Sequence, residues 1–244
     1  GGLQLGHIFH PEPHFRIATN TSSFLAQPGV SAICATPAPS PNPTITPVPT
    51  ETFEPTRERV LATTITKLEA AVADAAPKDH IVLKFDFALT ATLIFPEGLA
   101  GVRMTSDEHR RTLSGDGTFQ LIYVYKTELI LEDLILTGGY EAEGSGGAIR
   151  VYSGVLWARR CTFSHNRAAT NGGAAAIRSS STATFEDSLF ELNEAVGAGG
   201  AASVDSDSQG IFLRTKFFNN KAGANGGALS FQVNRPNEVD ASLV

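Results

Sequence analysis

The stretch that decides the fold is residues 161–187, CTFSHNRAATNGGAAAIRSSSTATFED, followed without a break by residues 188–214, SLFELNEAVGAGGAASVDSDSQGIFLR. Laid one over the other, Phe163 falls on Phe190, Asn166 on Asn193 and Ala168 on Ala195, each pair 27 residues apart. Phe217, Asn220 and Ala222 extend the series, and Leu136 precedes it at the same interval. Gly-Gly pairs recur at 146–147, 172–173, 199–200 and 226–227, so the spacing slips by one residue only in the first unit. Self-similarity at a fixed period marks a stacked-repeat architecture, in which each unit buries its apolar face against the next.

A 27-residue unit is too short for a propeller blade, lacks the 3.6-residue spacing of paired helices and carries no leucine ladder. It fits one coil of three short strands, stacked on the next coil at about 4.8 Å. The expected fold is therefore all-β, a right-handed parallel β-helix. Leu134 with Leu136, and Cys161 with Phe163, lie two residues apart and so share a strand face. That column weakens at Ser188 and Thr215, while Phe163, Phe190 and Phe217 predict an interior aromatic ladder. Asn166, Asn193 and Asn220 read as a ladder of side chains bonding to one another and to turn backbone. The glycine pairs supply positive φ at a tight corner, or room for close approach between coils.

Asp133, Arg160, Asp187 and Arg214 repeat at the same interval with alternating sign. The neighbouring column runs Glu132, Arg159 and Glu186, then breaks at Leu213. Opposite charges across adjacent strands are favourable, so these carboxylates read as a solvated charge ladder and not as catalytic groups.

Three segments are expected. Residues 1–35 read as an extended arm with strand-like pieces, too few for a domain of their own. Residues 36–56 form a Pro/Ser/Thr-rich linker, and residues 57–244 the β-helix. Within the last, residues 57–80 are a cap and the regular coils start at about 129. Residues 58–63 read as a strand, and Ile65, Leu68 and Val72 have helical spacing. Pro77, Lys78 and Asp79 end that helix, and a strand follows from Ile81. A short helix over the open end of a β-helix hides its apolar interior.

Composition bounds the compartment. The 244 residues include 23 Gly, 13 Pro and 15 Phe, with 18% charged side chains, below the roughly 25% of an average soluble domain. The formal net charge is −6, which argues against a nucleic-acid partner or an extended basic surface, although a local basic patch stays open. No stretch approaches a membrane span, and no cofactor motif is present. The chain starts at Gly1 without a charged, signal-like run, which reads as a processed N-terminus. Asn20-Thr21-Ser22 is an N-glycan sequon. The segment from Thr36 to Pro55 holds seven prolines among Ser40, Thr44, Thr46, Thr50 and Thr52, all O-glycan candidates. Secretion or display at the cell surface, with covalent glycans, is the expectation. Cys34 and Cys161, the only cysteines, permit a disulfide in that compartment, while Cys161 alone also suits the core.

Residues 58 to about 100 look like the start of pectin-lyase-like right-handed β-helix proteins. The coils from Gly146 to Phe231 resemble the Gly-Gly-Ala-Ile and Phe-x-x-Asn repeats of chlamydial polymorphic outer-membrane proteins. Gly146-Gly147-Ala148-Ile149 with Phe163-Ser164-His165-Asn166 matches well. In Gly172-Gly173-Ala174-Ala175-Ala176-Ile177 the Ile is displaced, and Gly199-Gly200-Ala201-Ala202 has none. The resemblance implies the fold and a surface location, but no single chemistry.

Lyases and hydrolases on this fold need clustered carboxylates with a basic residue, or Asp residues beside a Gly-His-Gly. None of the six histidines (His7, His10, His14, His80, His109, His165) has that context. Asp205-Ser206-Asp207 reads as a solvated turn ahead of a calcium site, and residues 107–111 as an exposed charged loop ahead of a catalytic one. The reading is therefore a non-enzymatic extracellular structural subunit whose partners are other copies of itself. It would assemble head to tail into a fibre or surface layer. The arm, through Leu3, Leu5, Ile8, Phe15 and Ile17, would add a strand to a neighbour. A glycan-binding adhesin and a polysaccharide lyase or hydrolase are the alternatives.

Overall fold

In a computed structural model of the chain, residues 59–232 and the backbone of Ile17–Ala18 are described. The expectations at Leu3, Leu5, Ile8, Phe15, Asn20, Cys34, Ser40, Thr44, Thr46, Thr50 and Thr52 fall outside these residues. So do all of residues 19–54.

The described residues form a parallel β-solenoid with one short helix. Four sheets run along it, of eight, six, four and six strands, and every strand pair is parallel. One regular coil passes through Val155–Arg159 in the first sheet and Thr162–Ser164 in the second. It continues through Arg167–Ala168 in the third and Ala175–Arg178 in the fourth. The expected coil has three strands; the observed one has four. The extra strand is only two residues long, below the length at which alternation is visible in a sequence. It follows a corner where His165, Leu192 and Asn219 take positive φ.

Phe163 pairs in register with Leu136 and Phe190, and Phe190 with Phe217, so the aromatic ladder is real. A second column, Phe185 on Phe212, comes from the first sheet. Within each column the rings stack, with centroids 4.6 Å apart for Phe163–Phe190 and 5.2 Å for Phe185–Phe212. Between columns they meet edge to face, as Phe185–Phe190 does at 5.1 Å. Both geometries suit the aromatic quadrupole. The displaced Ile177 lies in register between Val151 and Val204, while Ala175 and Ala202 follow Ile149. The aliphatic bulk has moved two residues along the same inward face, which the two-residue period allows.

The one-residue slip has a local origin. Tyr152 pairs with Arg178, 26 residues on, but Val155 pairs with Thr182, 27 residues on. The added residue is in the corner at Ser179, Ser180 and Ser181, where the lower coil has only Ser153 and Gly154. Both roles expected of the glycine pairs occur together. Gly172 has φ of 64°, and a Cβ on Gly173 would lie 2.7 Å from Glu194 of the next coil.

The cap is as the sequence indicates. Val60–Ala62 is a strand, and the helix spans Ile65–Ala73 with Leu68 and Val72 buried on the first coil. Thr64 accepts a hydrogen bond from the Lys67 amide, an N-cap contact. Lys78 takes φ of 63° in the turn that leads to His80–Leu83.

Candidate functional site: side ladders and the far end of the solenoid

The Asn ladder is a continuous hydrogen-bonded column. Asn193 Nδ2 donates to Phe163 O at 2.9 Å and to Asn220 Oδ1 at 2.9 Å. Its own Oδ1 accepts from the Asn166 amide and from Asn166 Nδ2, both at 3.0 Å. Asn166 repeats the pattern one coil down, donating to Leu136 O at 3.0 Å and accepting from the Gly139 amide at 2.8 Å. Asn166 and Asn193 are each 1% exposed, so these groups have no water to fall back on.

The charge ladder is paired as its signs require. Arg160 holds Asp133 through two hydrogen bonds of 2.7 Å, and Arg214 holds Asp187 at 2.6 and 3.0 Å. Hydrogen bonding to these arginines lowers the pKa of both aspartates. Each of the four residues takes positive φ, from 49° to 57°, at the corner between the first and second sheets. Left-handed backbone suits Asp better than Arg, so residue type does not announce this corner. The neighbouring column departs from the expectation of full solvation, because the Glu132 side chain is only 10% exposed. Arg103 and Arg159 flank it on adjacent coils and cover it while donating to it or facing it at 3.9 Å.

The second-sheet column weakens at Ser188 and Thr215 for a polar reason. Ser188 Oγ donates to Glu186 O at 2.9 Å and accepts from the Cys161 amide at 3.1 Å. Thr215 Oγ1 donates to Phe185 O at 2.9 Å. Cys161 is buried with a free thiol directed at Leu131 O and Arg159 O, and burial pushes its pKa up to about 12.

The groups weighed for chemistry are engaged structurally. Asp107 is held by Arg111 at 2.9 and 3.1 Å, which lowers its pKa to about 2. Asp205 faces Arg178 at 4.0 Å, and Asp207 accepts from the Ser180 amide at 3.0 Å. His80 bonds Thr105 at 2.8 Å, and burial followed by repulsion from Arg103 and Arg59 lowers its pKa to about 4. Among the described residues no cluster of three or more His, Cys, Asp or Glu could hold a metal ion. No described helix is long and apolar enough to cross a membrane.

The two ends of the solenoid differ. The helix covers the first. At the far end, Lys216–Phe218 and Lys221–Ala222 are the last strands of their sheets, with no further strand beyond them among the described residues. Phe218 is 60% exposed there. The first sheet is the exception. Beyond its last coil strand, Gln209–Leu213, lies a further parallel strand from the start of the chain, with Ile17 in register with Phe212 and Ala18 with Leu213. Of the arm residues singled out in the sequence, Ile17 is the one the structure places, and it sits at this edge.

Residues 160–177 and 214–232 match the Chlamydia polymorphic membrane protein repeat. No curated protein and no solved structure matches the chain. Fold and repeat together define a parallel β-solenoid, two stretches of which are similar to the repeat of Chlamydia polymorphic membrane proteins.

Proposed function

We propose that the protein is a structural subunit of a cell-surface assembly, built by head-to-tail strand exchange between solenoids. The observation that carries this reading is the parallel pairing of Ile17–Ala18 on Gln209–Leu213. An edge that accepts the arm of its own chain offers the same hydrogen bonds and register to the arm of another copy. Exchange of an identical element between copies is a low-cost route to association. Because donor strand and acceptor edge differ, the contact is heterologous, and successive copies propagate it as a filament unless the rotation closes a ring. The remaining edges and Phe218 add backbone and apolar surface to the same end. The paired arginines, aspartates and glutamates serve the stack, so the reading assigns them no catalysis.

Electron microscopy of the full chain and of a chain lacking residues 1–34 tests this. Filaments from the full chain and dispersed particles from the shortened one are expected. Filaments of equal length from both would remove the arm from the joint.

A further inference from the structure

Three of the four tyrosines stand together on the outward face of the fourth sheet. Tyr123 and Tyr125 lie two residues apart on Ile122–Tyr125, and Tyr125 is in register with Tyr152 at the end of Ile149–Tyr152. The interior ladders are built of phenylalanine, which has no hydroxyl to satisfy; here the adjoining rings are phenols with access to solvent. Tyr152 is 39% exposed and Tyr125 half-buried. Their ring centroids are 5.9 Å apart and their planes tilted by 48°. That tilt turns a ring edge, where the ortho carbons lie, toward the neighbouring ring.

The other two tyrosines are less suited to react. Tyr123 is also 5.9 Å from Tyr125, but the two rings are nearly parallel at 13°, so it presents a face. Burial raises the Tyr123 pKa, which makes its phenol proton harder to lose. Tyr140 is on the third sheet, with the Arg167 guanidinium 5.9 Å from its ring centre. Among the described residues no disulfide ties one coil to another, and the Cys161 thiol is free. Neighbouring coils are held by backbone hydrogen bonds and packing alone, so stacked repeats can part locally. Tyr125 precedes the regular coils and Tyr152 lies in the first of them, so a bond between the two rings would cross that join.

We infer that Tyr125 and Tyr152 form a site of oxidative coupling, where a peroxide-driven one-electron oxidant converts the ring pair into a dityrosine cross-link between coils. Each phenol gives up one electron and one proton, and one hydrogen peroxide takes up both pairs to become two waters. The two phenoxyl radicals join through ortho carbons, forming one carbon–carbon bond. The hydrogens at those carbons pass to the phenol oxygens as aromaticity returns. The joined residues are 27 apart in sequence, and closing that loop removes entropy from the unfolded chain as a disulfide does. The link forms within one chain and needs neither the arm nor a second copy.

The test is treatment of the full chain, in dilute solution, with a haem peroxidase and hydrogen peroxide, followed by trypsin and mass spectrometry. Cleavage separates residues 112–126, 127–150 and 151–159, which carry Tyr123 with Tyr125, Tyr140, and Tyr152 respectively. The expected product joins 112–126 to 151–159, is lighter than their sum by two hydrogens, and shows dityrosine fluorescence. Its fragments place the link at Tyr125. Tyr125→Phe and Tyr152→Phe keep the rings and should each abolish the product, while Tyr123→Phe and Tyr140→Phe should leave it. A circular-dichroism melt of each variant confirms folding. The linked chain should melt about 6–12 °C higher than the untreated one, a gain absent from Tyr152→Phe. Preferred linkage through Tyr123 or Tyr140, links only between molecules, or equal yield from the urea-unfolded chain would overturn the inference. So would no link where free tyrosine couples, or a link that leaves the melt unchanged.

Discussion

Replacing Asn193 by alanine removes four hydrogen bonds from a site that is 1% exposed. The Asn166 amide and Asn166 Nδ2 lose their shared acceptor, and Phe163 O and Asn220 Oδ1 lose a donor. The net loss is not the sum of four gross bond energies, because unfolding returns these groups to water. The orphans decide the cost. Each buried, unsatisfied group costs about 1–3 kcal/mol. Asn220 is half-exposed and can recover with water, which leaves three groups on the inner side and a destabilisation of about 3–5 kcal/mol after partial relaxation. Asn220→Ala, at the open end, should cost about 1–2 kcal/mol. Urea denaturation followed by circular dichroism measures both, with native-state hydrogen exchange at Asn166 as a local probe, since stacked repeats can open coil by coil. A cost below about 1 kcal/mol for Asn193→Ala, with Asn166 exchange unchanged, would show that the ladder contributes nothing to stability.

Phe190 touches both ring columns, so Phe190→Ala should cost about 3–5 kcal/mol and Phe190→Leu clearly less, by the same denaturation assay. Gly173→Ala brings a methyl group against the backbone of the next coil; a marked fall in melting temperature is expected, and an unchanged melt would mean the coils can separate at no cost. His80 titrates near 4 when folded against about 6.5 ordinarily. Between those values the unfolded chain takes up a proton and the folded one does not. Stability present above pH 6.5 is therefore lost as pH falls towards 4, by up to about 3 kcal/mol before solvent screening. Melts from pH 7 to 4 should steepen in the wild type relative to His80→Gln.

The parts of this fold legible in the sequence are those that repeat with large or distinctive side chains. Phe163, Asn166 and the glycine pairs recur because stacking places each on its own kind, and a 27-residue period survives any uncertainty about strand ends. The third sheet was not legible, since two residues such as Arg167–Ala168 carry no alternation. Positive φ at Arg160 and Arg214 is imposed by the corner and has no signature in residue type. Burial of Glu132 depends on arginines from the coils below and above, and so appears only once the coils are stacked. The pairing of Tyr125 with Tyr152 has no signature in the sequence because Tyr125 precedes the regular coils, so no alignment of units brings the two together. Ile17 was named as an arm residue, but which edge receives it is a question of tertiary geometry.

Strand exchange is tested most directly by trapping it. Ala18 and Leu213 are register partners on neighbouring parallel strands, whose spacing of about 4.8 Å lies within the Cα separation a disulfide spans. The measurement is a non-reducing gel of Ala18→Cys/Leu213→Cys in a Cys34→Ala background, oxidised at assembly concentration. The account predicts a ladder of covalent multimers that collapses to monomer on reduction. A single cross-linked monomer at every concentration would show that the arm closes only its own chain, and the head-to-tail joint would have to be abandoned.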